Sequence, residues 1–124
     1  MYKILIIGLG GFLGSVARYV TAKFVDDKLS PAFPYGTLTV NILGSFLLGI
    51  IYVIALRKAG LTENGRLFLG VGFCGGFTTF SAFALENFGL MQDKLVGTSV
   101  LYTSLSIVGG ILALAAGVWV ARFV

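Results

Sequence analysis

Four long apolar stretches run along the chain, and short polar segments separate them. The stretches cover residues 4–24, 35–56, 67–91 and 96–120, while both prolines and most of the charges fall between them. About 20 helical residues are needed to cross roughly 30 Å of hydrocarbon, so each stretch is long enough to span a membrane once. Because irregular backbone cannot face lipid, the pattern predicts an all-α integral membrane protein with four transmembrane helices. No residues are left for a soluble domain, so we expect residues 1–124 to form a single four-helix membrane domain.

Composition strengthens this prediction and removes other classes of protein. Of the 124 residues, 57% are hydrophobic and 11% are charged, whereas a soluble domain carries about 25% charged residues. The net charge is +4, but the basic residues are scattered singly, which disfavours a nucleic-acid partner. The chain contains no histidine and no cluster of carboxylates, which disfavours an enzyme. The lone cysteine, Cys74, lies in an apolar run and is expected to be a small structural residue.

Basic residues do not set a strong orientation in the membrane. With the N-terminus inside, one side holds five basic residues and the other holds three: Lys3, Arg57, Lys58, Arg66 and Arg122 against Lys23, Lys28 and Lys94. This bias is weak for the positive-inside rule. It therefore permits insertion in both orientations, which would allow an antiparallel homodimer.

Glycine is abundant inside the predicted spans. Pairs of small residues four apart occur at Gly10 and Gly14, at Gly72 and Gly76, and more loosely at Ser45 and Gly49. Such faces let membrane helices approach closely. Four helices of this size enclose little by themselves, so we expect a homo-oligomer, most simply a dimer.

Polar residues inside the spans are the candidates for function, because burying them in lipid is costly. Asn41 has an amide that donates and accepts, so it forms either a helix–helix hydrogen bond or part of the lining of a pore. Arg18 can reach the membrane interface, can make a vestibule attractive to anions, or can do both. Glu86 is the one acid in the third span, and it either lies at an aqueous mouth, pairs with a basic group or is protonated.

The third span differs from the others in the run from Gly72 to Phe83, which mixes glycines, hydroxyls and phenylalanines at mid-membrane. The glycine pair Gly75-Gly76 disfavours helix by about 1 kcal/mol per glycine relative to alanine. We therefore expect a break from Gly75 to Thr78, which would free carbonyls for a cation and helix N-termini for an anion. Beyond it, phenylalanine ring edges carry partial positive charge and can face an anion.

This run, Gly-Phe-Cys-Gly-Gly-Phe-Thr-Thr-Phe-Ser-Ala-Phe, resembles the motif of the Fluc (CrcB) fluoride channels. Three further features agree: the glycines before Arg18-Tyr19 in the first span, Thr39-Val40-Asn41 followed by Gly44-Ser45-Phe46 in the second, and the four-span length. The resemblance covers the whole chain. It implies a fluoride-selective channel of the bacterial-type inner membrane, which exports toxic fluoride passively through two pores of an antiparallel, dual-topology homodimer.

The resemblance also assigns residues to the pore and to a structural ion. The residues that would line the pore are Asn41, Phe80, Phe83, Thr79, Ser81, Tyr102, Ser106 and Thr39. Arg18 would lie at a vestibule, and backbone carbonyls of Gly75 and Thr78 from both copies would hold a structural Na⁺. On the fourth span, Gly110 supplies no hydroxyl, which weakens that part of the comparison. Taken without the resemblance, Tyr102 and Ser106 fit an ordinary polar pattern of a membrane helix.

Two other functions compete with the channel. A small multidrug-resistance transporter is also a four-helix, dual-orientation dimer, but it needs a membrane-embedded carboxylate for proton and cation exchange. The first span has no acid, and Glu86 is the only candidate within any span. A membrane scaffold without transport would leave the glycines, hydroxyls and phenylalanines of the third span unexplained.

Overall fold

The structure is a computed structural model that describes residues 2–57 and 60–124. The first helix, α1, runs over Tyr2–Lys28, and α2 runs over Tyr35–Leu56. The third span begins with a short helix, α3 (Glu63–Arg66), a π-helical segment (Leu67–Cys74) and a further turn, α4 (Gly75–Phe77). It resumes as α5 (Phe80–Gln92), and α6 (Val96–Ala121) is the last helix.

Four helices of this structure are long and apolar enough to cross a membrane, which confirms the prediction from the pattern. The second has the bounds that the sequence predicts, the first extends beyond residues 4–24, and the third spans residues 63–92 with an interruption. Most large apolar side chains are exposed, for example Leu85 and Ile111, while few are buried. Apolar side chains on the outside require an apolar solvent, so this is an integral membrane fold.

Glycines allow α1 to pack directly on the third span. A Cβ added at Gly72 would lie 2.7 Å from the carbonyl oxygen of Ile7, and one at Gly76 would lie 2.6 Å from that of Gly11. Gly10 and Gly14 likewise face backbone atoms of the third span. The predicted close approach at these two glycine pairs is therefore confirmed, and the contact is made largely by backbone atoms.

A second glycine contact joins α2 to α6. A Cβ at Gly49 would overlap the backbone of Leu114, and one at Gly117 would overlap the backbone of Phe46. The small face that includes Gly49 therefore packs against the fourth span. Helix α1 thus packs on the third span and α2 packs on α6, while α1 and α2 also contact each other and the interruption is bonded to α2.

The interruption lies later than the sequence predicts. Gly75 and Gly76 are helical, and the extended residues are Thr78 (φ −91°, ψ 157°) and Thr79 (φ −150°, ψ 118°). The prediction that the glycine pair itself breaks the helix is wrong in this respect. Gly76 is needed instead for the approach to α1, where any larger residue would overlap Gly11. The break forms where other helices can satisfy the freed backbone groups.

Candidate functional site

Asn41 holds the break from the facing helix. Its side-chain oxygen accepts a hydrogen bond from the backbone N–H of Thr79 at 2.7 Å, and its amide nitrogen donates to the carbonyl of Thr79 at 3.1 Å. One side chain therefore satisfies both backbone groups of the most extended residue. The amide has two N–H donors, so one of them remains for another acceptor. The helix–helix interaction and a donor role in a site are compatible at this residue.

Other side chains take up further backbone groups that the break frees. The hydroxyl of Thr79 accepts from the N–H of Ala82 at 3.1 Å and caps the start of α5. The hydroxyl of Thr78 donates to the carbonyl of Cys74 at 2.8 Å, a carbonyl that also keeps its bond from the N–H of Thr78. The guanidinium of Arg18 donates from Nε to the carbonyl of Gly76 at 3.0 Å. Arg18 therefore supplies the donor that Phe80 would provide in an unbroken helix.

Besides the carbonyl of Gly76, two further carbonyls at the break lose their usual helical donors. In a continuous helix, the N–H of Thr79 would bond to Gly75 and the N–H of Ala82 would bond to Thr78. Here the N–H of Thr79 bonds to the side chain of Asn41, and the N–H of Ala82 bonds to the hydroxyl of Thr79. The carbonyls of Gly75 and Thr78 are therefore available to another partner, and Gly75 is itself exposed.

A groove of about 380 Å³ runs beside the break. It brings together residues from α2, the third span and α6, and its lining is Asn41, Gly44, Ser45, Leu48, Gly70, Cys74, Gly75, Thr78, Thr79, Phe80, Phe83, Ser106 and Ile107. None of these side chains is charged. The groove thus offers amide and hydroxyl groups among apolar walls, an arrangement that can replace part of the hydration shell of an ion without holding it tightly.

The two phenylalanines at this groove differ in their surroundings. Phe83 packs between other rings, with its centroid 5.6 Å from that of Phe80 and 5.2 Å from that of Tyr102. Phe80 is 79% exposed in the single chain. One face of the groove is therefore built by this chain, and the outer phenylalanine has no cover within it.

Several residues that the sequence predicted for the pore lie outside the groove lining. Ser81 is exposed, and its hydroxyl lies 3.3 Å from that of Thr79. Thr39 is half-buried on α2. Tyr102 is fully buried behind Phe83. Arg18, predicted for a vestibule, bonds to the carbonyl of Gly76 and is not part of the groove lining. Their pore and vestibule roles stay predictions.

Glu86 belongs to a hydrogen-bond network that the sequence did not reveal. Its carboxylate accepts from the hydroxyl of Thr37 at 2.9 Å and from the hydroxyl of Tyr102 at 3.0 Å. It therefore links α5 to both α2 and α6, and it does so through neutral donors instead of a basic partner. The four-residue spacing from Thr37 to Asn41 was a signal that this face of α2 is polar.

Asn87, which the sequence analysis did not single out, ties α5 to α6. Its side-chain oxygen accepts from the hydroxyls of Ser99 at 2.7 Å and Thr103 at 3.3 Å. These two residues are four apart on α6 and so share a face, which is the pattern that could have identified them. Together with Glu86, Asn87 fixes the helix that carries Phe80 and Phe83.

Comparison with known proteins places this geometry in a family. The model of the family described as CrcB-like protein, Camphor Resistance (CrcB), matches residues 5–118. A protein of Chlorobium chlorochromatii named fluoride-specific ion channel FluC is 47% identical over 97% of this chain and 92% of its own length. A protein of the same name from Bacteroides fragilis is 47% identical over 94% of this chain and 94% of its own length. Another from Caulobacter vibrioides is 43% identical over 98% of this chain and 97% of its own length.

These matches cover the broken third span and all four apolar helices, and they confirm the resemblance seen in the sequence. The relatives are bacterial, and the fold crosses the membrane several times, so the chain is a multi-pass protein of the bacterial inner membrane. The chain belongs to the CrcB family.

Proposed function

We propose that this chain forms a fluoride-selective channel that lets toxic fluoride leave the cell down its gradient. The observation that carries the proposal is the groove beside the break, where the Asn41 amide and the hydroxyl of Thr79 lie together with Phe80 and Phe83. Relatives of nearly the same length are named fluoride-specific ion channels, which supports the same function here.

The chemistry of the groove suits a small anion. Fluoride is strongly hydrated, so a pore must replace its water with hydrogen-bond donors. The free N–H of Asn41 and neighbouring hydroxyls can donate to it, and phenylalanine ring edges carry partial positive charge. Since the lining contains no cationic side chain, the anion is bound weakly enough to leave again.

The exposed side of the groove supports a homodimer. Phe80 is 79% exposed, and the polar groups beside it would face lipid in a lone subunit. Unsatisfied polar groups are costly in hydrocarbon, so a second copy is the natural cover. The weak bias of the basic residues supports an antiparallel arrangement, in which each of two pores is lined by both copies.

The break also suits a structural sodium ion. The carbonyls of Gly75 and Thr78 have lost their helical donors, and freed carbonyls at a helix break coordinate Na⁺ in membrane proteins. In the proposed dimer these carbonyls from both copies would hold the ion. When bound, Na⁺ supplies positive charge that offsets the carbonyl dipoles, while Arg18 and Asn41 keep the neighbouring backbone in place.

Passive transport explains the chain better than proton-coupled exchange of cations. An antiporter would depend on Glu86, the only acid within the four predicted apolar stretches, and this carboxylate is bonded to two hydroxyls outside the groove lining. The family is one of ion channels and not of enzymes, and the proposed role requires no catalytic step.

The test is fluoride efflux from proteoliposomes, recorded with a fluoride-selective electrode and compared with chloride efflux. We expect fluoride to leave much faster than chloride, and Phe80→Ile or Asn41→Asp to slow fluoride strongly. Phe88→Ile is the matched control, because Phe88 is also exposed on α5 but lies outside the groove lining. Equal fluoride and chloride fluxes would reject the selectivity, and proton-dependent cation uptake would favour the antiporter.

A further inference from the structure

A second cavity continues the groove along α2 and α6. It measures about 350 Å³ and is lined by Ser45, Ser106, Ile107, Gly110, Ile111 and Leu114. It shares Ser45, Ser106 and Ile107 with the groove beside the break. The two hydroxyls are the only polar side chains in this lining, and they come from facing helices. This pair therefore lies next to the part of the groove that contains Asn41.

The hydroxyl of Ser106 has no partner although it is buried. Its oxygen is shielded from solvent and makes no hydrogen bond within the residues that the structure describes. Buried hydroxyls almost always have a partner, and helical serines often use the carbonyl one turn back. A buried hydroxyl without either is expected where a ligand or water supplies the partner.

Ser45 approaches the same place from α2. Apart from the backbone of α6 itself, the Ser45 hydroxyl oxygen, at 3.7 Å, is the only atom of the described residues within 4 Å of a Cβ added at Gly110. The glycine therefore leaves α6 without a side chain at this level, and the hydroxyl of α2 borders the vacant space. The Ser45 hydroxyl belongs to the lining of this cavity, and it carries one O–H that can donate.

We propose that Ser45 and Ser106 form a second fluoride site, one step along the pathway from Asn41, in which each hydroxyl donates one hydrogen bond to the anion. Ser45 is the new element: it supplies from α2 the donor that Gly110 does not supply from α6. The remaining walls are isoleucine and leucine, so these two donors replace the water that the ion sheds there. The inference rests on the proposed channel function.

The test measures fluoride efflux for Ser45→Ala, for Ser45→Ala combined with Gly110→Ser, and for Ser104→Ala as the control. We expect Ser45→Ala to slow fluoride efflux about tenfold, the loss for one hydrogen bond to an ion. Gly110→Ser has room, since only the Ser45 hydroxyl lies near the added atom. It should restore most of the flux by returning a hydroxyl to the same space. Ser104 is an exposed serine of α6, so its loss should change nothing.

The outcomes separate this inference from the channel proposal. If the wild-type protein passes no fluoride, the proposed function fails. If the wild type passes fluoride and Ser45→Ala does so at an equal rate, the second site is refuted while the channel stands. The inference would also be overturned if Gly110→Ser failed to restore the flux. The same holds if Ser45→Ala were no longer monodisperse on size exclusion. Either result would assign Ser45 a structural role.

Discussion

Replacing Asn41 by alanine tests how the break in the third span is held. In the structure this side chain bonds to both the N–H and the carbonyl of Thr79, across from α2 to the third span. The N–H of Thr79 has no helical partner, whereas its carbonyl, at the N-cap of α5, also accepts the first intrahelical hydrogen bond. Asn41→Ala removes both side-chain hydrogen bonds, so it leaves the N–H without a partner and the carbonyl with one donor instead of two.

The size of the loss follows from these two groups. A buried donor left unsatisfied costs about 1–3 kcal/mol and the loss of one ordinary hydrogen bond about 0.5–1.5 kcal/mol, which gives a range of about 1.5–4.5 kcal/mol for the two groups. Thr79 is only half-buried beside a groove that admits water, so we expect the lower part of the range, about 2–3 kcal/mol. Asn41→Asp keeps the acceptor for the N–H and loses the donor to the carbonyl, so about half of that loss is expected.

The free energy of unfolding can be measured by titrating the protein with a denaturing detergent in mixed micelles and following helix content by circular dichroism. Asn64→Ala is the matched control, since Asn64 is also helical and its side chain makes no hydrogen bond within the described residues. If Asn41→Ala and Asn64→Ala change the free energy of unfolding by amounts that agree within about 0.5 kcal/mol, the Asn41 bonds contribute no net stability. The reasoning that Asn41 fixes the break would then be refuted.

Two further predictions use the same titration. Gly76→Ala should lower the free energy of unfolding by about 1–3 kcal/mol, because its Cβ would lie 2.6 Å from the Gly11 carbonyl. Gly75→Ala is the control and should have little effect, since no described atom outside its own helix backbone lies within 4 Å of the added Cβ. Equal losses of stability in the two variants would contradict the close packing. Glu86→Leu should lower the free energy of unfolding by about 1–3 kcal/mol, because buried hydroxyls lose their acceptor. Adding Tyr102→Phe should recover part of that stability, because it removes one of these hydroxyls. Strictly additive effects in that double-mutant cycle would show that Glu86 and Tyr102 do not interact.

The four helices and their close contacts could be predicted because they depend on local properties of the chain. The length of an apolar stretch decides whether it can span a membrane, and α2 begins and ends where its stretch does. Glycines four apart make a smooth helix face whatever their neighbour, so the faces at Gly10 and Gly72 were visible from spacing alone. Asn41 stood out because an amide in a membrane span must find a partner.

The identity of the partners, by contrast, depends on residues that are far apart in the chain. The break lies at Thr78 and Thr79, and not at the glycine pair, because Asn41 and Arg18 reach the backbone there from other helices. Glu86 is bonded to hydroxyls of α2 and α6, an outcome that no feature of its own span indicates.

The sequence by itself determined a four-span membrane protein of the CrcB family, with a polar and glycine-rich third span. Only the tertiary structure decided which carbonyls the break leaves free, which side chains share a groove, and that Ser45 borders the space above Gly110. The reason is physical: hydrophobic length and helix faces are set along one segment, whereas a buried polar group takes whichever donor or acceptor packing brings within about 3 Å.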